Sequence, residues 1–187
     1  MNIANQVTCA RFVFTIVFLI LAQFQENDAV RWTAVVIGIL TGCSDFVDGW
    51  LARKYNIITD FGKLMDPITD KIFVCCCFIV LVENKQLGAW APVLILSREF
   101  AVSGLRQLAS QKGIVIAADT GGKIKTILQC TCLAALGLHW GWRGAVPPPA
   151  DWIGYSLNAL VIVTVLFTIY TGYRYFSANR QLFMESK

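Results

Sequence analysis

Six apolar stretches recur along the chain, each near the roughly 17 to 25 residues that a helix needs to cross a bilayer's hydrocarbon core. They run from Val7 to Phe24, Val30 to Arg53, Lys63 to Val82, Ala89 to Leu108, Gly122 to Trp140 and Trp152 to Phe176. With 56% hydrophobic and only 15% charged residues, the chain is too apolar for an ordinary soluble fold. Hydrocarbon offers free backbone groups no partner, so each span is expected to be helical throughout. The predicted fold class is therefore all-α: a polytopic membrane bundle of about six transmembrane helices, with an N-terminal interfacial segment and a single domain over residues 1–187. The first apolar run continues through Ile16 to Leu21 with no small-residue cleavage site, so it is expected to remain as the first helix.

The seven cysteines, Cys9, Cys43, Cys75, Cys76, Cys77, Cys130 and Cys132, lie in or beside these runs and read as small hydrophobes. Cys130 and Cys132 form CxC, not CxxC, and no histidine completes a zinc site. His139 receives no chemical role.

Basic residues fix the orientation. With the amino terminus in the cytoplasm, only Arg31, Lys85 and Arg143 face out, whereas Arg11, Arg53, Lys54, Lys63, Lys71, Arg106, Lys112, Lys123, Lys125, Arg174, Arg180 and Lys187 face in. The net charge of +4 suits a face that meets anionic headgroups and phosphorylated substrates, though topology alone also puts cations there. No nucleic-acid partner is expected; membrane lipids are.

Into this frame the segment DFVDGWLARKYNIITDFGKLMDPITD sets four carboxylates at helical spacing, where acids are expensive. Asp45 and Asp48 stand three apart and Asp66 and Asp70 four apart, so each pair shares a face, and the short connection makes the two helices antiparallel neighbours. Four carboxylates gathered without a cation would repel one another; oxygen-only ligands favour Mg²⁺ or Mn²⁺, and four suffice for a two-ion cluster that clamps a phosphoryl displacement. The site is expected to open toward the cytosol. Gly49, lacking a Cβ, would let a diphosphate lie against the helix, and Arg53 offers a planar multidentate donor to a phosphate or nucleotide, or else serves only to set topology. Gly62 and Pro67 shape the start of the third helix. Gly38 and Gly42 form a GxxxG on the second, read as close helix packing or as room for a lipid.

The spacing Asp45-x2-Asp48-Gly49-x2-Ala52-Arg53-x8-Gly62-x3-Asp66-x3-Asp70 resembles the signature of the CDP-alcohol phosphotransferase family at every fixed position. The resemblance implies an enzyme that moves a phosphatidyl or similar group from a CDP-linked lipid such as CDP-diacylglycerol to an alcohol, releasing CMP with the help of two divalent cations. By motif position it implies Asp45, Asp48 and Asp66 as metal ligands, Asp70 as metal ligand and general base, and Gly49, Arg53 and Thr59 as the lining of the CDP site. Asn5, Thr8 and Arg11 resemble the family's N-x2-T-x2-R element of the nucleotide site, with Ala4 where relatives often have proline; a polar interfacial helix start is the alternative. Two further strings, SREFAVSGLRQLA and GGKIKT, resemble the bacterial branch of the family whose acceptor is sn-glycerol 3-phosphate. They bring Arg98, Arg106, Lys123 and Lys125, cations suited to an acceptor carrying a phosphate. For Arg98, an ion pair with Glu99 that orients the fourth helix is the alternative. Other acceptors, as in a cardiolipin synthase or an inositol-type transferase, keep the same chemistry. A divalent-cation transporter is the alternative from another class, disfavoured because the aspartates gather at one membrane face and no second acidic half is evident. The resemblance also implies the bacterial cytoplasmic membrane as location and a homodimer as assembly.

Overall fold

The computed structural model describes residues 3–55, 60–114, 120–142 and 151–180, with the side chains of residues 10–43, 68–114, 120–142 and 152–180. Among them are six helices and no strand: α1 (Ile3–Gln23), α2 (Asp28–Tyr55), α3 (Asp60–Glu83), α4 (Trp90–Gln111), α5 (Thr120–Gly141) and α6 (Asp151–Ala178). Each overlies one predicted apolar run. One helix among the described residues, across Trp152–Ala178, is by itself long and apolar enough to cross a membrane; Ala10–Gln23 is a shorter apolar stretch. The charges that carry the candidate chemistry interrupt the apolar runs of α2 to α5.

The chain divides into two compact units. The first holds residues 1–87 and 134–149, in which α1 packs along α2 and α3. Its core gathers Phe18, Ala22, Ala34, Val35, Cys76, Val80 and Trp140. The glycine pair of α2 faces two rings, Phe18 of this core and Phe73 of α3: a Cβ on Gly38 would stand 3.3 Å from Phe18, and one on Gly42 would stand 3.5 Å from Phe73. Those rings meet edge to face, with centroids 6.3 Å apart. Close packing is thus what Gly38 provides, whereas a Cβ at Gly42 would meet only ordinary van der Waals contact.

Helix α2 starts where Asn27 caps it, its Oδ1 accepting from the amides of Ala29 (3.0 Å) and Val30 (3.4 Å). One turn on, the buried Arg31 ties three segments together: Nε donates to Gly141 O (3.1 Å), Nη1 to Gln25 O (2.9 Å) and Nη2 to Asp28 Oδ1 (2.6 Å). The end of α5 is fastened further by His139 Nδ1 against Gln86 Oε1 at 2.6 Å and by Trp32 edge to face with Trp142.

The second unit holds residues 88–133 and 150–187, and there α4 packs on α6. On α4 the buried residues Ala91, Ile95, Val102, Leu105 and Ala109 repeat at alternating steps of three and four, with one slot of that seam taken by Arg98. On α6 the buried seam is Val161, Thr164, Val165, Thr168, Thr171 and Tyr175. Its threonines return their hydroxyls to their own helix, Thr164 to Leu160 O and Thr168 to Thr164 O at 2.7 Å each, so they pack as small apolar residues. Helix α4 ends at Gly113, whose φ of +72° closes a bond from Ile114 N to Ala109 O at 2.9 Å.

Arg31→Ala removes three charge-assisted hydrogen bonds and strands two backbone carbonyls, so it should cost about 2 to 4 kcal/mol of stability. A thermal midpoint in detergent measures this, and an unchanged midpoint would contradict the role given to Arg31.

Candidate active site

The carboxylate segment falls on two unbroken helices. Asp45, Asp48, Gly49, Ala52 and Arg53 lie within α2, and Gly62, Asp66 and Asp70 within α3, so the steps of three and four residues are realised as single helical turns. Of these, Asp70 has a described side chain. Those of Asp45, Asp48, Gly49, Arg53 and Asp66 lie outside the described residues, as do those of Asn5 and Thr8 on α1 and the whole of Thr59.

Asp70 is met by α1. Arg11 Nη1 donates to Asp70 Oδ1 at 2.8 Å, across 59 residues of sequence. The Arg11 side chain is only 3% exposed while that of Asp70 is 47% exposed, so the guanidinium holds the carboxylate from the buried side. One turn on, Thr15 returns its hydroxyl to Arg11 O at 2.9 Å. Two residues for which the family resemblance implies different duties, nucleotide site and catalytic base, are thereby brought together.

By residue type, two pairs of carboxylates spaced one helical turn apart in the sequence fit hard divalent cations, which take oxygen ligands; of the four, the side chain of Asp70 is described, and it is paired with Arg11.

Of the four basic residues expected at the acceptor's phosphate, Arg98 and Lys125 meet on one carboxylate, while Arg106 and Lys123 do not share it. Glu99 Oε1 accepts from Lys125 Nζ, and also from Arg98 Nη1 at 3.2 Å. The side chains of Lys125, Arg98 and Glu99 are 5%, 12% and 24% exposed. Arg98 thus forms the ion pair foreseen as its alternative, and the same carboxylate holds Lys125. Arg106 stands apart from this triad: its Nε donates to Tyr175 Oη at 3.1 Å, and its guanidinium carbon lies 5.6 Å from the centre of the Tyr175 ring. Lys123 is exposed on α5.

The sequence places Glu99 beside Arg98 but gives no sign that Lys125, 26 residues away, shares its oxygen. Tyr175 likewise carries no motif; its tie to Arg106 spans 69 residues. Gln129, one turn beyond Lys125 on α5 and equally buried, is a further polar residue of this face that apolar patterning passes over.

A model of the CDP-alcohol phosphatidyltransferase family matches residues 1–172. The chain belongs to this family. Near-full-length relatives agree. A CDP-diacylglycerol--glycerol-3-phosphate 3-phosphatidyltransferase of Bacillus subtilis (strain 168) is 36% identical over 190 residues, covering 95% of each chain. A protein of the same name from Rickettsia felis is 36% identical over 182 residues, covering 97% of each. A probable phosphatidylglycerophosphate synthase of Mycobacterium tuberculosis is 36% identical over 177 residues, covering 93% of this chain and 79% of the relative. Within the CDP-alcohol phosphatidyltransferase family frame, the signature divides between α2, with its first five fixed positions, and α3, with its last three.

Tyr175→Phe keeps the ring under Arg106 but deletes the oxygen that accepts from it. It should cost about 1 kcal/mol of stability, and Arg106→Ala more, because the stacking is lost as well. Thermal midpoints of the two variants decide this; equal losses would contradict the division between hydrogen bond and ring.

Proposed function

We propose that this protein transfers the phosphatidyl group of CDP-diacylglycerol to sn-glycerol 3-phosphate, giving phosphatidylglycerophosphate and CMP. The observation that carries the reading is the near-full-length similarity to relatives whose names state this reaction. The intact family spacing on α2 and α3 supports it.

In the proposed reaction the primary hydroxyl oxygen of glycerol 3-phosphate bonds to the phosphorus that carries diacylglycerol, and the bond from that phosphorus to the CMP oxygen breaks. The hydroxyl proton passes to Asp70, whose carboxylate is held in place through Oδ1 by Arg11. Asp45, Asp48, Asp66 and Asp70 would hold two Mg²⁺ or Mn²⁺ ions. Such ions, when bound, neutralise the diphosphate and stabilise the departing CMP. Asn5, Thr8, Arg11, Gly49, Arg53 and Thr59 are proposed to receive the CDP group, and Arg98, Arg106, Lys123 and Lys125 the acceptor's phosphate. Burial of Lys125 and Arg98 favours an anionic acceptor, since buried cations are at their best with a charge-matched oxygen ligand.

The same reading makes the chain a multi-pass protein of the bacterial cytoplasmic membrane with its site facing the cytoplasm. Supporting this are α6, apolar along its length, and bulky apolar side chains that several helices turn outward, among them Phe14, Leu40, Ile79, Val93, Ile127 and Leu166. The excess of basic residues on the side of the carboxylates agrees with it.

Purified protein given CDP-diacylglycerol, Mg²⁺ and glycerol 3-phosphate should release CMP; turnover with a different alcohol instead would remove the acceptor assignment. Asp70→Asn should lower turnover by at least about 100-fold in protein that still folds, with a thermal midpoint lowered by the loss of the ion pair with Arg11. Normal turnover in that variant would refute Asp70 as the base. Chelation should abolish CMP release and Mg²⁺ or Mn²⁺ restore it; activity that survives exhaustive chelation would contradict the metal site.

A further inference from the structure

One buried ionic group of the second unit has no assigned duty of its own. Glu99 lies on α4, one position past the Arg98 that occupies a slot of that helix's apolar seam. Its Oε1 takes Lys125 Nζ from α5 and Arg98 Nη1 from its own helix. Two cations side by side under cover would repel each other, and a long lysine left to itself would extend toward the headgroup region. A single carboxylate between them changes both facts: it lowers the local charge from +2 to +1 and fixes the ammonium on one oxygen. The residual positive charge is what a phosphate monoester would meet.

Helix α6 completes the arrangement. At Gly172 a Cβ would stand 2.8 Å from Arg98 Cγ and 3.6 Å from its Nε, so the arginine stem lies in a notch that only glycine leaves. Arg98 Nε is buried and has no hydrogen-bond partner there, so Glu99 does not use all of the guanidinium's donors.

We propose that Glu99 is the positioning residue for the acceptor's phosphate: it holds Lys125 and Arg98 together as one preformed anion receptor, with Gly172 giving Arg98 its place. This rests on the reading above, in which Arg98 and Lys125 bind the phosphate of glycerol 3-phosphate. Glu99 does not touch the reacting atoms. It acts by keeping two flexible cations from having to be ordered when the acceptor binds.

The test is steady-state CMP release against glycerol 3-phosphate and, separately, against CDP-diacylglycerol. Glu99→Gln should raise the KM for glycerol 3-phosphate about tenfold, with kcat within about threefold and the KM for CDP-diacylglycerol unchanged, as expected for loss of a charge-assisted anchor outside the reacting centre. Glu99→Asp, which retains the charge, should recover part of the loss. Gly172→Ala reaches the same guanidinium from α6 and should also raise the acceptor KM, but should add nothing in an Arg98→Ala background. Lys125→Ala tests the underlying reading by itself: an unchanged acceptor KM in that variant overturns the phosphate assignment. A raised acceptor KM in Lys125→Ala with an unchanged one in Glu99→Gln overturns the role of Glu99 alone. A Glu99→Gln defect that falls equally on both substrates also overturns it. Should Glu99→Gln not fold, Gly172→Ala decides, since an acceptor KM equal to that of the parent contradicts the receptor as drawn.

Discussion

A charge set into an apolar helical frame must be met by an opposite charge, because neither hydrocarbon nor neighbouring aliphatic side chains can solvate it. That constraint organises this protein. In the first unit a buried arginine on α1 answers a half-exposed aspartate on α3. In the second, a glutamate on α4 answers one cation from its own helix and one from α5. Each pairing spends an expensive group, and each lies among residues to which the proposed reaction gives a charged partner: cations for the aspartates, a phosphate for the lysine and arginine.

The two pairings differ in what they leave over. Around Asp70 the balance of the signature is negative, with Asp45, Asp48 and Asp66 on the same two helices. Around Glu99 it is positive by one charge, with Arg98 and Lys125 against one carboxylate. A transfer between a CDP-linked lipid and a phosphorylated alcohol calls for both, because metal ions need anionic ligands and the acceptor's phosphate needs cationic ones.

Much of the fold is legible in the sequence because each long apolar run coincides with one helix, so the runs give helix positions to within a few residues. The helices overrun those runs where polar residues carry the ends: α2 begins at Asp28, under the cap of Asn27, two residues before the apolar run from Val30. Among the described residues α6 is long and apolar enough to cross a membrane, whereas charged residues interrupt the apolar runs of α4 and α5. The aspartate spacing is likewise legible, since helical periodicity turns three- and four-residue steps into turns. Pairings distant in the chain are not. Arg31 with Gly141 O lies 110 residues apart, Arg106 with Tyr175 69, and Arg11 with Asp70 59; no local pattern links them, and packing alone brings them together. Glu99 illustrates the boundary: its neighbour Arg98 can be read directly, its second partner Lys125 only from the structure.

The central claim is that the aspartates of α2 and α3 form a two-ion site for phosphatidyl transfer. Counting bound Mn²⁺ by electron paramagnetic resonance, on purified protein saturated with CDP-diacylglycerol and without acceptor, tests it most directly. The account predicts about two ions per chain, at least one lost in Asp45→Asn and in Asp66→Asn, and both retained in Lys125→Ala. Mn²⁺ binding that is absent, or indifferent to the aspartate substitutions, would contradict it.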